Sequence, residues 1–488
     1  LIKLPVILFA LLVPLIALTQ INGDGNVIEY PATLDSTEYT PEEILEQTAR
    51  MIDTLNLRVR DVVITGNKIT KDVVILREMS LKKGSIFTYK KYNDDLQNIY
   101  NTRLFPKVDI IPIPVNDKEV VLNVDVTERF LYITPFPTGG IDDGEWKKIW
   151  AGVNTKWDNF RGMNESINFN FRVFYNPRVS LSYSNPWIGK NLKLLIGIGG
   201  SWSRTRNQNL TTVGRPIGTN TLTFEDENYL NIRYNADLTV GKKIGKHLSV
   251  FTNYMYNFLR VNEYKPGRTV SPTGVDKYLA IGGGFSYDTK NLHDYTTMGH
   301  YLSSYYHRYG FLDEQINFGR FTFQSENFIP FYITDNYFMT FASRLYTSLA
   351  VGAVIPSYHH KTLGYSDDYV RGWKGLAYEG DDVFTLYNEL RIPIVKPRYI
   401  MANKLPLLKS LPVIKDLPLK YGLYFTLIYD IGTTWFKNDR LADKRFLSGA
   451  GVGLNLIAPF GYVFRIDWVF RMAKPSVGEI NLSANAKF

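Results

Sequence analysis

The 488-residue chain contains no cysteine and only six histidines. Without cysteine there is no disulfide scaffold, no thiolate nucleophile and no thiolate metal site. His247, His293, His300, His307, His359 and His360 show no HExxH or other metal-ligand spacing. The adjacent pair His359-His360 is the one arrangement that invites a metal, and two neighbouring imidazoles alone make a weak site. No GxSxG nucleophile elbow occurs, and the glycine-rich runs at 196–200 and 449–453 lie in strand-like sequence instead of at strand-to-helix turns. Glycines placed so make room for inward-packed side chains. These absences leave no enzyme class supported and imply no cofactor and no metal. The formal charge of +9 comes from Lys and Arg scattered along the chain. Scattered cations are solvated strand ends and loops, so nucleic acid is not an expected partner.

One continuous apolar run is present, Leu4 to Leu18, preceded by Lys3. It is short for a membrane-spanning helix, carries Pro5 and Pro14, and leads into the small or polar stretch Thr19 to Gly25. Residues 1–20 therefore read as a secretory signal peptide, although Ala17-Leu18-Thr19 fits a cleavage site only loosely. Leu1 in the place of Met leaves the true start open.

What the chain has in abundance is aromatic residues, with 33 Tyr and 29 Phe, and period-two alternation. At the C-terminus Ile480, Leu482, Ala484, Ala486 and Phe488 are apolar, and Glu479, Asn481, Ser483, Asn485 and Lys487 between them are polar. Ile167, Phe169, Phe171 and Val173 alternate with Asn168, Asn170 and Arg172; Phe464, Ile466 and Trp468 alternate with Arg465 and Asp467. About sixteen such segments follow residue 130. Strands with one greasy and one polar face belong in a transmembrane β-barrel, apolar face to lipid and polar face to the lumen. Short turns are expected after even-numbered strands (159–163, 185–190, 458–460) and longer loops after odd ones (206–222, 263–276, 353–379).

The first part of the chain has a different character. Residues 21–56 read as a polar linker with one helix from Thr40 to Leu55, opened by Thr40-Pro41-Glu42-Glu43. Residues 57–129 read as a small β-α-α-β-β domain. Val62–Thr65 forms a strand, Thr70 caps a first helix and Thr88 a second, and a hairpin turns at Asn116-Asp117. With "ITGN", "LKKGSIF" and "RLFPKV" at its junctions, this unit resembles the polypeptide-transport-associated (POTRA) domain of outer-membrane assembly barrels. Its second strand, with Val108, Ile110, Ile111 and Ile113, is the edge where a client strand could add, and Pro112 and Pro114 on that edge could equally blunt it.

Tyr369-Val370-Arg371-Gly372-Trp373 lies in the long loop at 353–379 and resembles the Val-Arg-Gly-aromatic motif of the BamA/TamA and two-partner-secretion translocator superfamily. That resemblance implies a loop folded into the barrel, with Arg371 against an inner-wall acid, Asp430, in Tyr429-Asp430-Ile431-Gly432. The physics agrees, because an arginine in a narrow lumen needs a carboxylate and a bidentate pair fixes its orientation. A solvated Arg371 and an ordinary lumen acid remain the plainer alternative.

Pro135 and Pro137 share one strand parity beside Tyr132. They mark either a hydrogen-bond-poor closing seam against the terminal strand or a stiff link to the first domain. Lys396 to Lys420, rich in lysine, leucine and proline, reads as a segment lying on the inner leaflet, a partner-docking piece, or a plain loop insertion.

The expected whole is mainly β: about sixteen antiparallel strands over 130–488 after one POTRA domain, in a bacterial outer membrane with the POTRA domain in the periplasm. The resemblance implies insertion of unfolded outer-membrane or secreted polypeptides, with the lipid bilayer and periplasmic chaperones or lipoproteins as partners. A two-partner secretion translocator and a passive channel are the rivals.

Overall fold

In the computed structural model, residues 41–483 are described apart from 130–131, 142–145, 190–191, 208–225, 265–267, 312–314, 335–336, 353–354, 365–368, 375–377, 407, 409–416, 438, 442–443 and 445. The N-terminal unit comprises α1 (Pro41–Thr54), β1 (Arg58–Thr65), α2 (Asp72–Leu76), α3 (Tyr89–Tyr100), β2 (Lys107–Asn116) and β3 (Glu119–Thr127). Its sheet has the order β1-β3-β2, with β1 parallel to β3 and β2 antiparallel to it. Alternation in the strands drives Val59, Val108, Ile110, Leu122 and Val124 into one core with Val74 and Ile75 of α2 and Ile99 of α3. Burial of this apolar set is the main stabilising term for so small a unit.

Two readings change here. The helix taken as part of a linker sends Ala49 and Ile52 into this core, so α1 packs as an integral part of the domain. The N-cap of α2 is Lys71, and no side chain caps it. Thr70 instead accepts a 2.8 Å bond from Asn159 Nδ2, spending its hydroxyl on the contact with the second unit. Thr88 does cap α3, accepting from Lys91 N.

The remaining chain forms one sixteen-stranded antiparallel sheet. Its strands are β4 (Ile133–Ile141), β5 (Ile149–Phe160), β6 (Glu165–Phe174), β7 (Arg178–Ile188), β8 (Leu194–Asn207), β9 (Asp226–Ile244), β10 (Leu248–Val261) and β11 (Val275–Asp288). They continue with β12 (Gly299–Phe311), β13 (Phe318–Thr334), β14 (Tyr337–Gly352), β17 (Asp382–Met401), β18 (Pro418–Trp435), β19 (Leu447–Ile457), β20 (Val463–Arg471) and β21 (Lys474–Ser483). Two short strands, β15 (Lys361–Leu363) and β16 (Tyr378–Gly380), pair within the β14–β17 connection. Each long strand pairs with its neighbour in the sequence, with β14 joined directly to β17. Period-two patterning sets the faces: Phe464, Ile466 and Trp468 point outward and exposed, whereas Arg465 and Asp467 point inward and buried.

The N-terminal domain sits against the connections that follow β5, β7, β9, β11 and β17–β18. Lys71 N donates to Gly162 O at 3.0 Å. Asn101 Nδ2 donates to Asn291 O at 2.8 Å, and Lys246 Nζ lies 3.6 Å from Asp95 Oδ1. Turns on this side are mostly short, but 289–298 and 402–417 are long, and on the far side 175–177 and 472–473 are short. The expected division into short and long sides therefore holds only in outline. In the 396–420 segment, the paired strands simply extend: Tyr399 faces Lys420 and Ile400 faces Leu419. Leu417 and Leu419 bury with Ala402 in a small cluster, which gives those leucines a packing role in the protein itself.

Candidate functional site

The centre of interest is where the β14–β17 loop meets the inner wall. Val370 and Trp373 pack with Leu447 of β19, and Trp373 Nε1 donates to Ser448 O at 2.9 Å. Gly372 takes φ +90, and its carbonyl accepts from Arg471 Nε at 2.6 Å. A positive φ suits glycine, so the turn that presents the preceding arginine depends on it. The wall makes matching room. A Cβ on Gly449 would lie 1.9 Å from Arg371 O, and one on Gly432 would lie 2.9 Å from Val370 Cγ2.

Arg371 is 1% exposed and Asp430 0%. The guanidinium grips that carboxylate in a fork, Nε to Oδ2 at 2.6 Å and Nη2 to Oδ1 at 2.7 Å. The backbone N–H of Arg371 adds a 3.3 Å bond to the same carboxylate. The pairing expected from the sequence is present, and it is one edge of a larger cluster. Arg371 Nη1 also donates to Glu389 Oε1 at 2.7 Å. Arg465 Nη2 donates to Glu389 Oε1 at 2.7 Å and to Asp467 Oδ2 at 2.8 Å. Arg391 Nε donates to Glu389 Oε2 at 3.0 Å. Three arginines thus meet three carboxylates, all nearly inaccessible to solvent, with formal charges that cancel. Buried charges persist when each is paired and hydrogen-bonded, and the geometry then selects one docked position for the loop.

Glu389, Arg391, Arg465 and Asp467 were not singled out from the sequence. The available signal was charge at i and i+2 on the inward face, Glu389/Arg391 on β17 and Arg465/Asp467 on β20. Gly453 belongs with them, since a Cβ there would lie 2.4 Å from Asp467 Oδ1.

The seam residues divide. β4 and β21 are the terminal strands of the large sheet, and among the described residues no backbone pairing joins them. Pro135 and Pro137 are exposed on β4, the edge position where proline is tolerated. Ile480 and Leu482 are 68% and 59% exposed on the outer face of β21. Ala484, Ala486 and Phe488 lie outside the described residues. Tyr132 is not a seam residue: it precedes β4 and is buried in the N-terminal core, its hydroxyl 3.4 Å from Thr70 Oγ1. On β2, which is an edge strand, Val108 and Ile110 are buried in the core, Ile111 is half-buried and Ile113 is 48% exposed. Docking through this edge would therefore have to use its backbone with Ile111 and Ile113, because the other two side chains are committed inward.

Among the described residues no group of three His, Cys, Asp or Glu side chains is placed to hold a metal. His359 packs against Tyr309 and Phe318, with ring centroids 4.9 and 5.0 Å away, and His360 Nδ1 lies 2.6 Å from Glu379 Oε1. Both rings brace the long loop.

Comparison with known proteins adds the context. The profile of the Omp85 superfamily domain matches residues 159–483, and that of the surface antigen variable number repeat, the POTRA domain, matches residues 57–129. A protein named as a candidate outer membrane protein assembly factor of Treponema pallidum (strain Nichols) is 37% identical over 136 residues, 27% of this chain and 16% of that protein. Outer membrane protein assembly factor BamA of Neorickettsia risticii (strain Illinois) is 32% identical over 107 residues, 22% of this chain and 14% of that protein. The chain thus spans only about a sixth of the length of these relatives. Among solved structures, CdiB from Escherichia coli matches with TM-score 0.53 and 13% identity, covering 88% of this chain and 75% of that one, a likeness of fold alone.

Proposed function

The chain belongs to the Omp85 superfamily, and on that footing we propose that it assembles other polypeptides into a bacterial outer membrane. The route is the edge between β4 and β21, with the POTRA domain in the periplasm. The observation that carries this reading is the arrangement of the barrel ends. β4 and β21 terminate the sheet, β4 carries two edge prolines, and the lumen beside them is occupied by a loop pinned through six buried charges. A strand edge facing lipid leaves backbone groups unsatisfied, each at a cost of about several kcal/mol. A client strand that pairs there relieves this cost and buries its own apolar face in lipid. The reaction makes and breaks no covalent bond and uses no cofactor. Clients are unfolded outer-membrane or secreted polypeptides, delivered to the POTRA domain by chaperones or neighbouring lipoproteins.

A secretion translocator would share this fold and would pass its substrate through the lumen. The docked loop belongs to both kinds of protein in the resembled superfamily, so what favours the seam is the β4 edge with its two prolines, which among the described residues has no backbone pairing to β21. The experiment is to deplete the protein and survey the outer-membrane and secreted proteomes. Loss of many barrels supports the proposal; loss of one secreted protein points to a translocator, and no loss points to a passive channel.

A further inference from the structure

We propose that the β11–β12 turn, residues 289–298, is a relay through which docking of the POTRA domain holds the lumen loop in place. Tyr295 and Arg391 are its positioning residues. This inference concerns loop docking and does not rest on the insertase reading.

The turn has two faces, each bonded to a different part of the molecule. On the domain side, His293 N donates to Asn101 Oδ1 at 3.0 Å, and Asn101 Nδ2 donates to Asn291 O at 2.8 Å. Asp294 takes a 3.1 Å bond from Tyr100 and lies 3.2 Å from Arg103 Nε. On the lumen side, Arg391 Nη1 donates to Thr296 O at 2.8 Å, and its guanidinium lies 4.5 Å over the Tyr295 ring. Asn455 Nδ2 donates to the Tyr295 hydroxyl at 2.8 Å, fixing that ring. Arg391 then bonds Glu389, whose other oxygen holds Arg371 at 2.7 Å. One bonded path therefore runs from the POTRA surface to the tip of the lumen loop.

A path transmits displacement only if its middle is stiff. The Asn291 side chain braces the turn, accepting from Thr297 N and Met298 N at 3.1 and 3.2 Å and donating to Thr297 Oγ1 at 2.8 Å. Thr296 Oγ1 donates to Leu292 O at 2.6 Å. The two faces consequently move as one body. Pulling the domain face away shifts Thr296 and Tyr295, which loosens Arg391 and leaves Glu389 free to release Arg371. A sequence of packed polar groups is a physical route for coupling, but a measured coupling between its ends must establish it.

The test uses the full-length protein without client. Leu447 is 1% exposed beneath the loop, and the chain has no native cysteine. Leu447→Cys therefore reports loop withdrawal as reaction with a water-soluble maleimide. Asn101→Ala with Asp294→Ala removes every domain-face bond named above, leaving among the described residues only the 3.1 Å bond from Arg103 Nη2 to His293 O, and touches no lumen charge. It should raise the labelling rate about fivefold or more, the lower range of measured couplings. Arg391→Met should raise it as well, and adding the domain-face changes to Arg391→Met should give no further increase. An unchanged rate in the domain-face variant, or effects that multiply with those of Arg391→Met, would overturn the relay. Heat-modifiable gel mobility checks folding. Should the double alanine variant misfold, Tyr100→Phe removes one hydroxyl from the same face. It must raise labelling in the parent and leave the Arg391→Met background unaffected, or the proposal fails.

Discussion

Replacing Arg371 with alanine changes the charge ledger of the lumen in a way that can be followed group by group. Glu389 keeps Arg391 and Arg465, and Asp467 keeps Arg465. Among the described residues Asp430 has Arg371 as its one ion-pair partner, at 2.6 Å. The substitution therefore orphans a fully buried carboxylate. Removing one partner of such a pair costs about 3–5 kcal/mol. The barrel need not bear that cost, because the loop can leave and let water reach Asp430. Arg371→Ala should thus shift the docking equilibrium of the loop roughly a hundredfold or more while the sheet stays intact. Asp430→Asn should do the same from the other side, leaving the fork of Arg371 half-paired. The double variant Arg371→Ala/Asp430→Ala restores charge balance, two arginines against two acids. Its cost should fall short of the sum of Arg371→Ala and Asp430→Ala by at least about 1 kcal/mol, the signature of direct contact. Amide hydrogen exchange of residues 369–374 reads the docking free energy, since Arg371 N is bonded to the Asp430 carboxylate at 3.3 Å and Lys374 N to Glu479 Oε2 at 3.1 Å when the loop is in place. Unchanged protection in Arg371→Ala, or strictly additive losses in the double variant, would refute the reasoning.

Gly449→Ala should also expel the loop, because its methyl would meet the Arg371 carbonyl at 1.9 Å, and the same exchange experiment reads it. Glu128 links pH to the stability of the POTRA domain. Burial opposes its charge, but hydrogen bonds from Thr70, Ile69 and Lys68 outweigh burial and hold its carboxyl below the usual carboxylate range. Its stabilisation is therefore full above the unfolded carboxylate pKa and fades as pH falls through the lower folded value. Glu128→Gln should lower protection of residues 68–70 at neutral pH, and the gap from wild type should narrow below about pH 4. A gap that widens on acidification contradicts this. Pro135→Ala with Pro137→Ala restores two N–H donors on β4 and should slow client insertion in reconstituted vesicles by tightening the edge; faster insertion would count against the seam.

The parts legible in the sequence were those governed by local periodicity. Alternation placed the strands, because in a lipid-facing sheet every second side chain must be apolar. The order of elements and the Thr88 cap located the small domain. The loop tip and Asp430 were visible through a motif. Long-range partners were less accessible. Ala49 and Ile52 gave α1 an apolar stripe, but nothing local says that the stripe packs on β2 and α3 instead of facing solvent beside a linker. Thr70 had cap-like spacing, and its hydroxyl was taken by Asn159, a residue 89 positions away. Glu389 and Asp467 looked like any other lumen acids, since only the curvature of the sheet brings β17, β18 and β20 to one arginine. Tyr132 lies three residues before Pro135, yet its ring packs into the N-terminal core, a partnership that no local pattern reveals.

The most direct measurement of the central claim is crosslinking during insertion. Single cysteines at Ile133 on β4, in register with Trp157 and Ile167, and at Ile480 on β21, both exposed on the outer face, would be presented in lipid vesicles to an unfolded client barrel carrying one cysteine in its terminal strand. The account predicts transient disulfides from both positions to the client while it folds, and none from Leu447→Cys beneath the docked loop. A client that inserts without touching either edge, or that crosslinks through the lumen position instead, would contradict it.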